Sequence, residues 1–313
     1  MDPAPTPSAS VTSGTVWHAL QWNGLNMQIP ELWTPTAIEN TFLSFSDDSA
    51  PVFDIKWARD KRPFQLDKEK RAMRKRFTDA EDFCVDATCI PACLSEALKK
   101  IRNLFSHVAF AHAAGCGALL HNDAEGYTVL VQFHTIAGAL PEQALITQLL
   151  CSLSLSPAGS PVATRIYDLA CIVPTGYELR SFLFHPGHFW LEFRRGSATL
   201  AIDRFAPANV LLNGLPLRHW ATKHYALPLE ELSSEVQCKP PAAGDIVRWT
   251  TDRRKPLLGR VPFLRSFSGV SQHEAGAAWL VEHENKLLSV RMRDSGSVFH
   301  DDLTALCGTV EII

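Results

Sequence analysis

Met27-Gln-Ile-Pro30-Glu-Leu-Trp33 reads as an apolar strand running into a proline turn, and the same pattern returns as Cys171-Ile-Val-Pro174-Thr-Gly-Tyr177. Pro30 to Pro174 and Trp33 to Tyr177 share an offset of 144 residues. Further along, Phe42-Leu-Ser-Phe45 matches Trp190-Leu-Glu-Phe193 at an offset of 148, and a polar turn and a second strand follow each, Val52–Trp57 and Thr199–Arg204. His112-Ala-Ala-Gly115 matches His273-Glu-Ala-Gly276 at an offset of 161. An ordered series of matches across half a chain predicts an internal repeat, and the drifting offset predicts loops of unequal length.

The expected organisation is a flexible tail over residues 1–15, a first domain over 16–155, a linker over 156–164 and a second domain over 165–313 that repeats the first. The boundary is Ser156-Pro-Ala-Gly-Ser-Pro161, where proline, glycine and serine cluster without periodicity. Late strands alternate in both halves, with Tyr127, Val129, Val131 and Phe133 on one face, then Leu288, Val290 and Met292 in the other copy. Period-2 alternation suits a sheet buried on one side. By the same rule Phe53, Ile55 and Trp57 are expected in the core, with Asp54 and Lys56 facing solvent. Helical spacing is clearest over Asp67–Phe77, Pro91–Phe105 and Leu217–Tyr225, and each half closes on a short helix and strand, Leu145–Leu155 and Leu303–Ile313. Gln237–Phe267, with Pro240, Pro241, Pro256 and Pro262, reads as an irregular insertion. The expected fold class is α+β: two similar domains, each an antiparallel β-sheet packed with one or two helices.

Ile29-Pro30-Glu31-Leu32-Trp33, the strand pair over Ala118–Phe133 and the closing Leu145–Leu155 together resemble the Mog1/PsbP-like α+β sandwich, and the chain resembles a tandem duplication of it. The likeness spans most of 17–155 and, through the repeat, most of 165–313. It implies an accessory, partner-binding protein without a shared catalytic site, so it carries over no functional residue.

Composition bounds the rest. With 313 residues, 46% hydrophobic and 20% charged, the chain can bury two cores, and 17 glycines with 20 prolines exclude a collagen-like or low-complexity chain. A net charge of −3 gives no global attraction to nucleic acid or membrane. The start has no basic or apolar signal region, and the uncharged stretches Asn103–Asn122 and Gln143–Thr164 are interrupted by histidine and glycine or by proline. A cytoplasmic protein with no membrane partner is expected. For the eight cysteines the expectation is free buried thiols rather than disulfides.

The candidate chemistry is sparse. Phosphate-loop, dinucleotide-binding, HExxH and GxSxG motifs are absent from the sequence. Cys84, Cys89 and Cys93 form the densest thiol group, but their spacing fits neither zinc ribbons nor ferredoxins, so they are weak metal candidates and no cofactor is expected. His185-Pro-Gly-His188 looks like a ligand pair, yet Pro-Gly makes a turn and should send the two rings apart. His112 and His273 are expected at equivalent points of the two copies.

The strongest signal is charge. Ten basic residues lie between Lys56 and Arg76, against Asp60, Asp67 and Glu69, and a second basic stretch runs through Arg248, Arg253, Arg254, Lys255, Arg260 and Arg265. On a helix Lys68, Arg71, Arg74 and Lys75 would share a face and form a partner-binding patch for an acidic protein. Few aromatics interleave with it and the chain is net acidic, which argues against nucleic acid. The sequence therefore points to a non-catalytic accessory or partner-binding protein. The alternative is a thiol- or metal-dependent protein using Cys84–Cys93.

Overall fold

The computed structural model describes residues 15–48, 50–60, 62–77, 81–136, 138–233, 245–254, 271–294 and 300–313. The chain divides into two compact units, one of Asn26–Ser154 with the residues up to Leu20, the other of Leu155–Ile313 with Gln21–Leu25. The tail lies outside the described residues apart from Thr15.

The described chain begins with a hairpin, β1 (Trp17–Trp22) and β2 (Leu25–Pro30), whose turn residues Asn23 and Gly24 take φ of 45° and 87°. Asn-Gly is the residue pair that tolerates two positive φ values in succession, which a two-residue hairpin turn requires. There follow β3 (Thr34–Glu39), β4 (Phe42–Ser46), β5 (Pro51–Arg59), α1 (Leu66–Arg76), α2 (Ala92–Ile101), β6 (Ser106–His112), β7 (Gly115–Asn122), β8 (Tyr127–His134), α3 (Gln143–Ser152) and β9 (Ser154–Leu155). The main sheet runs β3-β4-β5-β8-β7-β6, every pair antiparallel. Phe53, Ile55 and Trp57 point inward at 3% exposure or less, while Lys56 is exposed and Asp54 half-buried. From β8, Tyr127, Val129, Val131 and Phe133 join them, and α2 and α3 add Leu94, Leu98, Ile101, Ile146 and Leu149, all buried. A helix stripe at spacings of three and four meets an alternating strand face, and both are apolar.

The second unit carries β10 (Val162–Ile166), β11 (Leu169–Val173), β12 (Glu178–His185), β13 (His188–Arg195), β14 (Ala198–Phe205), α4 (Ala208–Leu212), α5 (Leu217–Tyr225), β15 (Leu232–Ser233), β16 (Ile246–Arg254), β17 (Ser271–Val281), β18 (Lys286–Asp294), α6 (His300–Cys307) and β19 (Glu311–Ile312). Its main sheet runs β12-β13-β14-β18-β17-β16-β15, again antiparallel. Apart from the short β15, its six strands follow the spatial order of the first unit's sheet. Leu191, Phe193, Leu200, Ile202, Val290 and Met292 fill its inner face.

The α+β expectation is corrected. The described residues are mostly antiparallel β, 48% strand against 22% helix, with three large sheets and six helices. Part of the extra strand content lies in segments expected to be irregular or linker. In β7, part of the expected strand pair, residues on both faces are buried, and such strands read as continuous apolar sequence. Ile246–Arg254 is a strand inside the stretch read as an irregular insertion, most of which lies outside the described residues. The strand Val162–Ile166 begins inside the expected linker, residues 156–164.

Pairing register also corrects one match. Ile55 faces Val131 and Val131 faces Ala118, as Ile202 faces Val290 and Val290 faces Ala277. Gly276 therefore corresponds to Gly117, not to Gly115, and His112 and His273 are not equivalent. In both units an aromatic from the neighbouring strand lies over this glycine: Phe110 opposite Gly117, and Trp249 opposite Gly276. A Cβ on Gly276 would meet the Trp249 ring at 2.2 Å, and one on Gly117 would meet the Val131 carbonyl oxygen at 2.2 Å and the Phe110 ring at 2.5 Å. Neither site has room for a methyl group.

Gly276→Ala and Gly117→Ala should each destabilise the chain by about 1–3 kcal/mol, the usual cost of overpacking a filled site. Denaturant unfolding measures this, and midpoints unchanged by both substitutions would show that the aromatic–glycine contacts are not close-packed.

Candidate functional site

Each sheet has an outer face, opposite the core, that helices cover only in part. In the first unit α1 packs against β6 through Met73, its one buried residue, which joins Val85, Val108 and Phe110. Phe77 just past the helix stacks on Phe110 at 5.2 Å and on Phe83 at 5.0 Å. α1 forms because its charges suit the helix dipole: Asp67 and Glu69 lie in the first turn, Arg74, Lys75 and Arg76 in the last. So Lys68, Arg71, Arg74 and Lys75, together with Arg76, stand exposed on one short helix.

The patch is partly engaged within the chain. The Arg71 Nε donates to the Asp67 carbonyl at 3.1 Å, and Arg74 pairs with Asp86 at 3.3 Å, both partners more than half exposed. Pairs this exposed contribute between nothing and about 1 kcal/mol. Beside α1 lies a cavity of about 510 Å3 lined by Arg59, Arg62, Lys68, Arg76 and His121. Arg62 holds the Asp60 carboxylate by a hydrogen bond at 2.9 Å and by its charge, which keeps that carboxyl well below the usual carboxylate range. Lys61 lies outside the described residues, as do Lys255, Arg260 and Arg265 of the second basic stretch, while Arg248 sits in β16.

Cys84 and Cys89 are joined by a disulfide, which corrects the all-thiol expectation, and Cys93 is a half-buried free thiol. The disulfide occupies two of the three weak metal candidates, and among the described residues no three His, Cys, Asp or Glu side chains group as a metal site. Cys116 and Cys171 are buried free thiols, Cys307 is buried and Cys151 is exposed. Burial pushes both the Cys116 and the Cys171 thiol up to about 12.

In the second unit α5 packs over β16 and β17, and its Tyr225 reaches Ser289 and Arg291 of β18. α5 is anchored by Leu217, Trp220, Ala221 and Tyr225, an apolar stripe set on Val247 and Trp249. Next to it opens a cavity of about 330 Å3 lined by His188, Trp190, Glu192, Asp203, Arg291 and Arg293, among others. Asp203 is 2% exposed. It accepts from the Arg291 guanidinium at 3.3 Å and the Ser289 hydroxyl at 3.3 Å, and lies 2.9 Å from the His188 Nε2. Ser289 in turn lies 2.6 Å from the Tyr225 hydroxyl, whose pKa rises through burial first and the Asp203 charge second. Stripped of such partners, a buried carboxylate costs about 3–5 kcal/mol, so this network fixes its members in place. The His188 ring stacks on Phe205 at 4.4 Å, and His224 stacks on Trp220 at 4.7 Å with its basicity lowered by burial.

His188 is therefore no idle turn residue, although His185 across the Pro-Gly turn is exposed, as expected. Asp203, Arg291, Arg293 and Glu192 were not anticipated. Their signal was a charge set into otherwise apolar strands, Ala-Ile-Asp-Arg at 201–204 and Val-Arg-Met-Arg at 290–293. No helix among the described residues is long and apolar enough to cross a membrane.

Native-state labelling at pH 8 with a thiol reagent, followed by peptide mapping, should modify Cys151 and spare Cys116 and Cys171 until the chain is unfolded. Rapid labelling of Cys116 or Cys171 in the folded protein would contradict this burial. No protein-family model and no curated protein matches the chain, so the chemistry of these two outer faces is the basis for reading its function.

Proposed function

We propose that the chain is a non-catalytic accessory protein, built from a duplicated sheet domain, that holds an acidic protein partner against α1. One observation carries the reading: five cations, Lys68, Arg71, Arg74, Lys75 and Arg76, are exposed on an 11-residue helix with a single buried side chain. Like charges three or four residues apart repel by a few tenths of a kcal/mol per pair. The nearby Asp86 pairs with one of them in a solvent-screened geometry. A partner's carboxylates would relieve that repulsion and draw the partner in over a Debye length of about 8–10 Å.

Duplication is supported by the shared spatial order of the six strands and by the aromatic–glycine contact at the same ladder position in both units. The resemblance to Mog1/PsbP-like domains supports an accessory role. Against the thiol or metal reading stands the disulfide, which ties up Cys84 and Cys89.

The test reverses the patch by Arg71→Glu, Arg74→Glu and Lys75→Glu together. Immobilised native protein should retain poly-L-glutamate and an acidic protein from host extract, both eluting as salt rises. The reversed variant should retain neither, with a melting temperature within a few degrees of the native one. Undiminished retention would remove α1 from the account, and a large loss of stability would make the cluster structural.

A further inference from the structure

The cavity of the second unit owes its shape to two small residues on its central strand. Along the outer face, Glu192 on β13 pairs with Ala201 on β14, and Ala201 pairs with Arg291 on β18. In the adjacent row Thr199 pairs with Arg293. Ala201 and Thr199 are short, so a gap opens between an acidic wall and a basic wall whose backbones lie two strand spacings apart, about 10 Å. No ion pair among the described residues joins Glu192 to either arginine across it.

The basic wall is held rigid. The Arg291 guanidinium donates to buried Asp203, lies 4.8 Å over the Tyr225 ring, and has a buried Nε without a hydrogen-bond partner. Arg293 is fixed by its Nε, which donates to Glu274 at 2.7 Å, a carboxylate 3% exposed. Each guanidinium has five N–H donors, so donors remain after these bonds. Their charges are balanced by Asp203 and Glu274, which makes the basic wall a source of oriented donors rather than of net positive charge. Glu192 opposite supplies two acceptor oxygens. Trp190 and Leu183 add apolar lining.

We propose that this cavity binds an α-amino acid with an apolar side chain, its carboxylate on Arg291 and Arg293, its ammonium on Glu192 and its side chain against Trp190 and Leu183. A zwitterion matches one wall of donors and one of acceptors while adding no net charge, and about 330 Å3 suits a small ligand. The first unit is built differently at the same ladder positions. There Ser44, Asp54 and Gln132 form the row, and Asp54 and Gln132 line a cavity of about 310 Å3, but the acidic residue stands on the central strand, its carboxylate 2.8 Å from the His134 Nε2, and no arginine faces it across the row. The site thus belongs to the second unit alone.

Calorimetric titration of the full chain with L-leucine and L-phenylalanine tests this. Saturable binding is expected, weakened about tenfold or more by N-acetylation or carboxamidation of the ligand, each of which removes one charge-assisted contact. Glu192→Gln should weaken L-phenylalanine binding to a similar extent while leaving the N-acetyl compound unaffected, a readout that a merely structural role would not give. Ala201→Leu, which fills the gap, should abolish binding. The proposal is overturned if neither amino acid binds at 10 mM, if acetate or phosphate binds as well as the amino acids, or if N-acetylation and Glu192→Gln make no difference.

Discussion

The row Ile55, Val131 and Ala118 in one sheet, and Ile202, Val290 and Ala277 in the other, fixes everything built around it. These side chains are buried essentially completely. Because successive residues of a strand point to opposite faces, committing this row to the core commits its neighbours to the outer face. A slip of one residue would drive Asp203, Arg291 and Arg293 into an aliphatic core and bring Ile202, Val290 and Met292 out. Register is thus set by a penalty of many kcal/mol, summed over several buried side chains at about 1.5–3 kcal/mol each.

The outer faces then diverge according to where the covering helix sits and what it covers. In both units a helix takes the β6 or β16 side of the sheet, resting on a ring that itself lies over a glycine, Phe110 or Trp249. The strands beside it are free to carry polar side chains. The first unit combines this with a helix that is nearly all charge, α1, so its outer surface is basic. The second uses an aromatic helix, α5, whose His224, stacked on Trp220, lines one end of a polar cavity. The same spatial order of six strands thus presents two kinds of surface.

Much of the scaffold was legible in the sequence, for physical reasons. Tyr127–Phe133 alternates because one face of β8 is wholly apolar, and Leu217–Tyr225 shows its stripe because α5 has one buried side. Where both faces are buried the alternation vanishes, as in β7, which is legible only as an apolar run before the alternating β8. The glycine match failed for another reason: Gly115 and Gly117 both precede an apolar run, and only cross-strand pairing tells which one lies beneath an aromatic ring. The exposed cations of α1 were readable because they lie within nine residues of one another. The Asp203 network was not, since Asp203 meets Ser289 and Arg291 from 86 and 88 residues away and no local motif links them.

Native-state hydrogen exchange on the full chain tests the dependence on these central ladders most directly. Amides of β5, β7 and β8, and of β14, β17 and β18, should exchange slowest, with opening free energies near that of global unfolding, while α1 and α5 open earlier. Slowest exchange in the helices, with the central strands opening before them, would contradict the account.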